Sequence, residues 1–141
     1  MKSADRPGLR GWPLLPVAVL ALSWLAAGCS SSTPAYCTDA SQLKTSVQDL
    51  GNADVTKNGL GSLQTALSTV QADAKTFTAD AKSAFPSQTA ALNTALSGLQ
   101  TAITSAKGQP SVTAAAAVAA SVTQVKNSAS DLQNAISGNC Q

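Results

Sequence analysis

The chain has 141 residues, length for one modest domain, with 9 Lys and Arg against 7 acids and a net charge of +2. It contains no His and its acids are all Asp, so the usual metal ligand and the commonest general bases are missing. Hydrophobic residues make up 44% but aromatic residues only 4%, which leaves any core to aliphatic and alanine side chains.

Lys2, Arg6 and Arg10, against the single acid Asp5, precede an apolar run from Trp12 to Ala27 that is interrupted by Pro13, Pro16 and Ser23. A positive segment before an apolar one is the layout of a secretory signal. The core of the run, Val17 to Leu25, is well short of the roughly 20 residues of a membrane-spanning helix, and the prolines argue against one long helix. The run closes on Leu25-Ala26-Ala27-Gly28-Cys29 and is followed by Ser30-Ser31-Ser32-Thr33-Pro34.

This block resembles the lipobox of bacterial lipoproteins. The resemblance covers about the first thirty residues, and it departs from the commonest form at Ala26, where the family usually has Leu; Leu25 stands one place earlier. It implies a diacylglycerol on the Cys29 thiol, signal cleavage between Gly28 and Cys29, and often acylation of the new amino terminus. Two or three acyl chains anchor stably, whereas one binds only marginally. With no twin-arginine pair, the general secretion route is expected. The expected organisation is a signal peptide over 1–28, a lipidated tether over 29–36 and a helical domain over 37–141. The protein would be held at the extracytoplasmic face of the cell membrane.

Removing the signal changes the charge. Lys44, Lys57, Lys75, Lys82, Lys107 and Lys126 balance Asp39, Asp49, Asp54, Asp73, Asp80 and Asp131. A neutral domain with no basic stripe gives no electrostatic reason to bind nucleic acid or an anionic lipid surface. The segment Ser30 to Tyr36, with its serines, threonine and proline, reads as a tether.

Beyond the tether the apolar residues recur at helical spacing. Thr38 or Asp39 can cap a first, short helix with Ala40, Leu43, Val47 and Leu50 on one face, ended by Gly51-Asn52. Residues 53–61, with Asp54, Asn58, Gly59 and Gly61, favour a loop or a broken helix start. The second helix carries Leu60, Leu63, Leu67, Val70, Ala74, Phe77, Ala81 and Ala84, and Phe85-Pro86 ends it. Ser87 is a good cap for a third helix, whose face is Leu92, Leu96, Leu99, Ile103 and Ala106, ended by Gly108 with Pro110. A fourth starts at Ser111 or Thr113 and presents Ala115, Val118, Val122, Val125, Ala129, Leu132 and Ile136; Val112 also fits an internal stripe, and Gly138 ends the helix.

The three cysteines sort by role. With Cys29 given to lipid by the lipobox resemblance, Cys37 and Cys140 remain as a pair in an oxidising compartment. Short loops between striped helices make antiparallel neighbours. Only an even number of helices brings both ends of the domain together. The expected fold is therefore all-α: an up-down bundle of four helices, short first helix included, closed by a Cys37–Cys140 disulfide. Phe77 and Phe85 would be its largest core pieces.

No catalytic constellation emerges, and no cofactor or metal is implied. Asp73 and Asp80 lie seven residues apart, about 10 Å along a helix, too far for one metal ion, and read as a solvated face, as do Lys75 and Lys82. The abundant serines have no neighbouring base, and Gly59-Leu60-Gly61 lacks the lysine and the preceding strand of a phosphate loop. Tyr36 is expected to pack on the disulfide end. The layout resembles that of the small alanine-rich lipoproteins of high-GC Gram-positive bacteria. The leading expectation is a lipid-anchored envelope protein of non-enzymatic, structural or interaction type. The alternative is an extracytoplasmic binding module for an apolar ligand or a partner protein, which predicts a pocket lined by stripe residues or an exposed apolar patch.

Overall fold

The apolar stripes become four helices. The computed structural model describes residues 33–53 and 55–141. The signal segment, Gly28, Cys29 and the start of the tether, on which the cleavage and lipidation expectations rest, lie outside the described residues, as does Asp54. The elements are α1 (Ala35–Asn52), α2 (Val55–Ala81), α3 (Pro86–Gly108) and α4 (Val112–Ile136), followed by a 3₁₀ turn over Ser137–Asn139. Helix α1 packs on α2 and α4, and α3 packs on the same two, so the helices form a ring in chain order. Among the described residues there is no strand, and no helix is long and apolar enough to cross a membrane.

Helix ends show where tertiary contacts override local signals. Helix α1 starts at Ala35, ahead of Thr38 and Asp39, so Ala35 and Tyr36 are helical rather than part of the tether. The Tyr36 ring meets Phe85 edge-on, with centroids 5.5 Å apart, and the Cys37 N–H donates to the Pro34 carbonyl at 2.9 Å. These contacts hold the extra turn. Helix α2 ends at Ala81, so Ala84 falls off the stripe and is exposed. Phe85 avoids helical geometry before Pro86, with φ −132° and ψ 57°, and its ring is buried. Pro86 is itself the first residue of α3, where a missing N–H leaves nothing unsatisfied, so Ser87 lies inside the helix instead of capping it. Ser111 does cap α4, accepting the Ala114 N–H at 3.0 Å.

The core follows the stripes. Leu43, Val47 and Leu50 of α1 pack with Leu63, Leu67, Val70 and Phe77 of α2, with Leu92, Leu99 and Ile103 of α3, and with Val125, Leu132 and Ile136 of α4. Each such fully buried side chain stabilises the fold by about 1.5–3 kcal/mol relative to exposure. Val112 departs from expectation: it is 88% exposed, because it is the first residue of α4 and has no helix beside it. The Cys37–Cys140 disulfide joins the start of α1 to the residue after the 3₁₀ turn, with Cα atoms 5.6 Å apart. The four-helix topology and the short first helix are as the sequence implies.

Candidate functional site

The lengths of the helices decide where space is left. Helix α1 has 18 residues and α4 has 25. At 1.5 Å per residue, α4 outruns its neighbour by about 10 Å. Both are pinned together at the disulfide, so the excess lies at the opposite end of the bundle. There Ala115 and Ala119 of α4 are exposed and Val122 is half-buried, while Val118 between them is buried in the core. The chain after α1 does not fill the gap. It turns at Ala53 and starts α2 with a single turn that breaks at Gly59, whose φ of 68° and ψ of −175° lie in a region essentially reserved for glycine.

The result is a half-open cavity of about 500 Å³, a size typical of ligand sites, which run from about 300 to 1,000 Å³. Its apolar walls include Leu50, Leu60, Leu63, Val118 and Val122. Val55 stands at its edge, 37% exposed. Ser111, Thr123 and Lys126 supply the polar lining, and Lys126 is the one ionisable side chain among the described lining residues. The Lys126 stem lies over Gly51 in the last turn of α1. Its Cδ is 3.3 Å from where a Cβ at residue 51 would stand, and its Nζ is 3.7 Å from it. Lys107, by contrast, is engaged, donating to Gln64 Oε1 at 2.8 Å.

Nearer the disulfide end, acidic side chains of α1 and α2 approach each other. The Ser46 hydroxyl donates to the Asp73 carboxylate across the two helices. Asp39 Oδ2 is sealed from solvent and has no hydrogen-bond donor among the described residues. Burial of that carboxyl, then a hydrogen bond with Asp80 and the negative charges of Asp80 and Asp73, hold the Asp39 pKa above the usual carboxylate range. A proton on Asp39 or Asp80 supplies the missing donor. Asp73 and Asp80 therefore belong in part to an interhelical seam rather than wholly to a solvated face, while Lys75 and Lys82 are exposed. No three Cys, His, Asp or Glu side chains among the described residues are grouped to hold a metal ion.

Of the residues singled out in the sequence, Cys37 and Cys140 are brought together and Tyr36 packs at their end, while Gly28 and Cys29 are outside the described residues. The Asp39–Asp80 approach has no linear signature, since it depends on the rotation of α1 against α2. The cavity has one: a first helix shorter than the rest, followed by a glycine-interrupted start. Chemically, the described lining is an apolar cleft with one cation, Lys126, and two hydroxyl-bearing residues, Ser111 and Thr123. The chain matches no family model, and no curated protein or solved structure shows significant similarity to it.

Proposed function

We propose that this chain is a lipid-anchored, non-enzymatic binding module of the cell envelope that holds an apolar ligand in the cavity beyond the end of α1. The observation that carries the reading is that cavity: about 500 Å³, walled by Leu50, Leu60, Leu63, Val118 and Val122, and left open where a longer first helix would close the core. Leu50, Leu63 and Val118 are already buried at its floor; the apolar surface a ligand would cover is that of Val55, Leu60, Ala115, Ala119 and Val122, at about 25 cal/mol per Å². The anchoring half of the reading rests on the resemblance of Leu25 to Cys29 to a lipobox. On it, acyl chains at Cys29 hold the disulfide end near the membrane. The cavity then lies at the far end, about 27 Å away along the 18 residues of α1.

Two measurements test the two halves. Cys29→Ser should abolish metabolic lipid labelling and release the protein from membranes; a variant that still labels refutes the anchor. A photoactivatable dodecanol, offered to the membrane-held protein in phosphatidylcholine nanodiscs, should label peptides that line the cavity. Ala119→Phe, which fills the cleft from its rim, should remove that labelling. Labelling spread evenly over the bundle, or unaffected by Ala119→Phe, refutes the binding half.

A further inference from the structure

We propose that the ligand is a single-chain anionic amphiphile, its chain in the cavity and its head group held at the mouth by Lys126. The inference rests on the binding reading above and adds the chemistry of the ligand.

Three observations carry it. The first is volume. The half-open cavity of about 500 Å³ falls in the lower half of the roughly 300–1,000 Å³ range of small-ligand sites, room suited to one aliphatic chain of moderate length. The second is the placement of charge. The walls are aliphatic, and Lys126 is the one charge among the described residues that line them. Its stem runs across the bare backbone of Gly51, the first carbon contact being only 3.3 Å from the position of a Cβ there. A side chain at residue 51 would push the stem aside. Glycine lets the stem lie flat, with the ammonium still beside residue 51, its Nζ 3.7 Å from the position of a Cβ there, on a residue that is exposed. The third is the lack of a competing partner. Among the described residues Lys126 makes no ion pair or hydrogen bond, whereas Lys107 on the adjoining helix is bound to Gln64. The domain is neutral overall, so the selectivity comes from this one local charge and not from a basic patch that would draw the protein to any anionic surface.

A rival role for Lys126 is to answer the negative end of α1, since Gly51 lies in that helix's last turn. That role predicts a loss of stability on removing the charge and no effect on which ligand binds.

The test uses the full-length, membrane-held protein in phosphatidylcholine nanodiscs, with photoactivatable dodecanoate, dodecyl phosphate, dodecanol and dodecyltrimethylammonium as probes. The readout is the concentration of each that half-saturates labelling of cavity peptides. The two anions should label at the lowest concentrations and the ammonium at the highest. Lys126→Met keeps the stem and removes the charge; it should raise the half-saturating concentration of the anions about threefold, in line with an exposed ion pair, and leave dodecanol unchanged. Lys126→Glu should reverse the order of anion and ammonium. Preference for dodecanoate over dodecyl phosphate, or the converse, tells a carboxylate ligand from a phosphate one. Equal labelling by dodecanol and both anions, with Lys126→Met without effect, overturns the anionic assignment while the apolar cavity stands. Failure of all four probes overturns both. Should Ala119→Phe unfold the domain, Ala115→Leu fills the same cleft from one turn earlier and replaces it as the blocking control.

Discussion

Replacing Cys37 and Cys140 together by alanine should cost the bundle about 4–5 kcal/mol. The bridge spans 103 residues of sequence, and a closed loop of about 100 residues restricts the unfolded chain by roughly 4.7 kcal/mol on the chain-entropy account. Little is lost from the native side. Cys37 is buried but small, Cys140 lies at the margin of the core, and α1 remains held by Leu43, Val47 and Leu50. Domains of this size are stable by about 5–15 kcal/mol in all, so the bridge is a large fraction of the total, and its loss should lower the melting temperature by about 20 °C or more. The assay is urea denaturation followed by helical circular dichroism. The unbridged chain should show a lower midpoint and a steeper slope, because its unfolded state exposes more surface. Each single cysteine variant should cost as much as the pair, since half a bridge constrains nothing. A loss under about 1 kcal/mol with an unchanged slope would refute the view that the bridge acts on the unfolded chain.

Further predictions concern positions where burial, charge or backbone geometry is specific. Asp39 binds its proton more tightly in the folded than in the unfolded chain, so its contribution is harmless at pH values below the ordinary carboxylate range and becomes destabilising as pH rises through its raised pKa. Asp39→Asn should therefore raise the urea midpoint at neutral pH and leave it unchanged in acid; a lower midpoint at neutral pH contradicts the seam. Gly59→Ala should cost about 1–3 kcal/mol, all of it from the backbone, because nothing lies within 4 Å of the added Cβ. Gly61→Ala, two residues on in ordinary helix, should be neutral or stabilising by up to about 1 kcal/mol; equal effects in thermal melts would remove the kink. Phe77→Ala, at a side chain with no exposure, should cost about 3–5 kcal/mol in the same denaturation experiment.

The periodicity of Leu92, Leu96, Leu99, Ile103 and Ala106 is readable in the chain because a buried helix face needs apolar residues at alternating spacings of three and four, and all five are buried. The bridge is legible by elimination, since Cys37 and Cys140 are the pair left once Cys29 is given to lipid, and the pairing in turn selects an even number of helices, because only that returns the chain to Cys37. Helix ends were less legible. Thr38 and Ser87 are better caps than Pro34 and Phe85, yet the contact between Tyr36 and Phe85, remote in sequence, moves both starts. The stripe on α4 also extends in sequence beyond its buried part, since Val112 and Ala115 at the first turn are exposed. Val112 and Ala115 have the right spacing for a core, but spacing does not say whether a neighbouring helix reaches that far.

That last point separates the two ends of the bundle. At the disulfide end Tyr36, Phe77 and Phe85 fill the space between helices with the bulkiest side chains available, and the covalent bridge holds them together. At the other end the walls are leucine, valine and alanine, and α1 stops about two turns short of α4. A single larger residue at Ala115 or Ala119 would cover much of the exposed stripe, and filling a void of this kind is among the readiest routes to added stability. Both positions are alanine instead, and Gly59 turns the start of α2 where a continuous helix would run on. A chain that spends its aromatic residues and its disulfide on one end can tolerate an incomplete core at the other. On the proposed binding reading, the stability supplied by the closed end is what lets the open end keep apolar walls for a ligand.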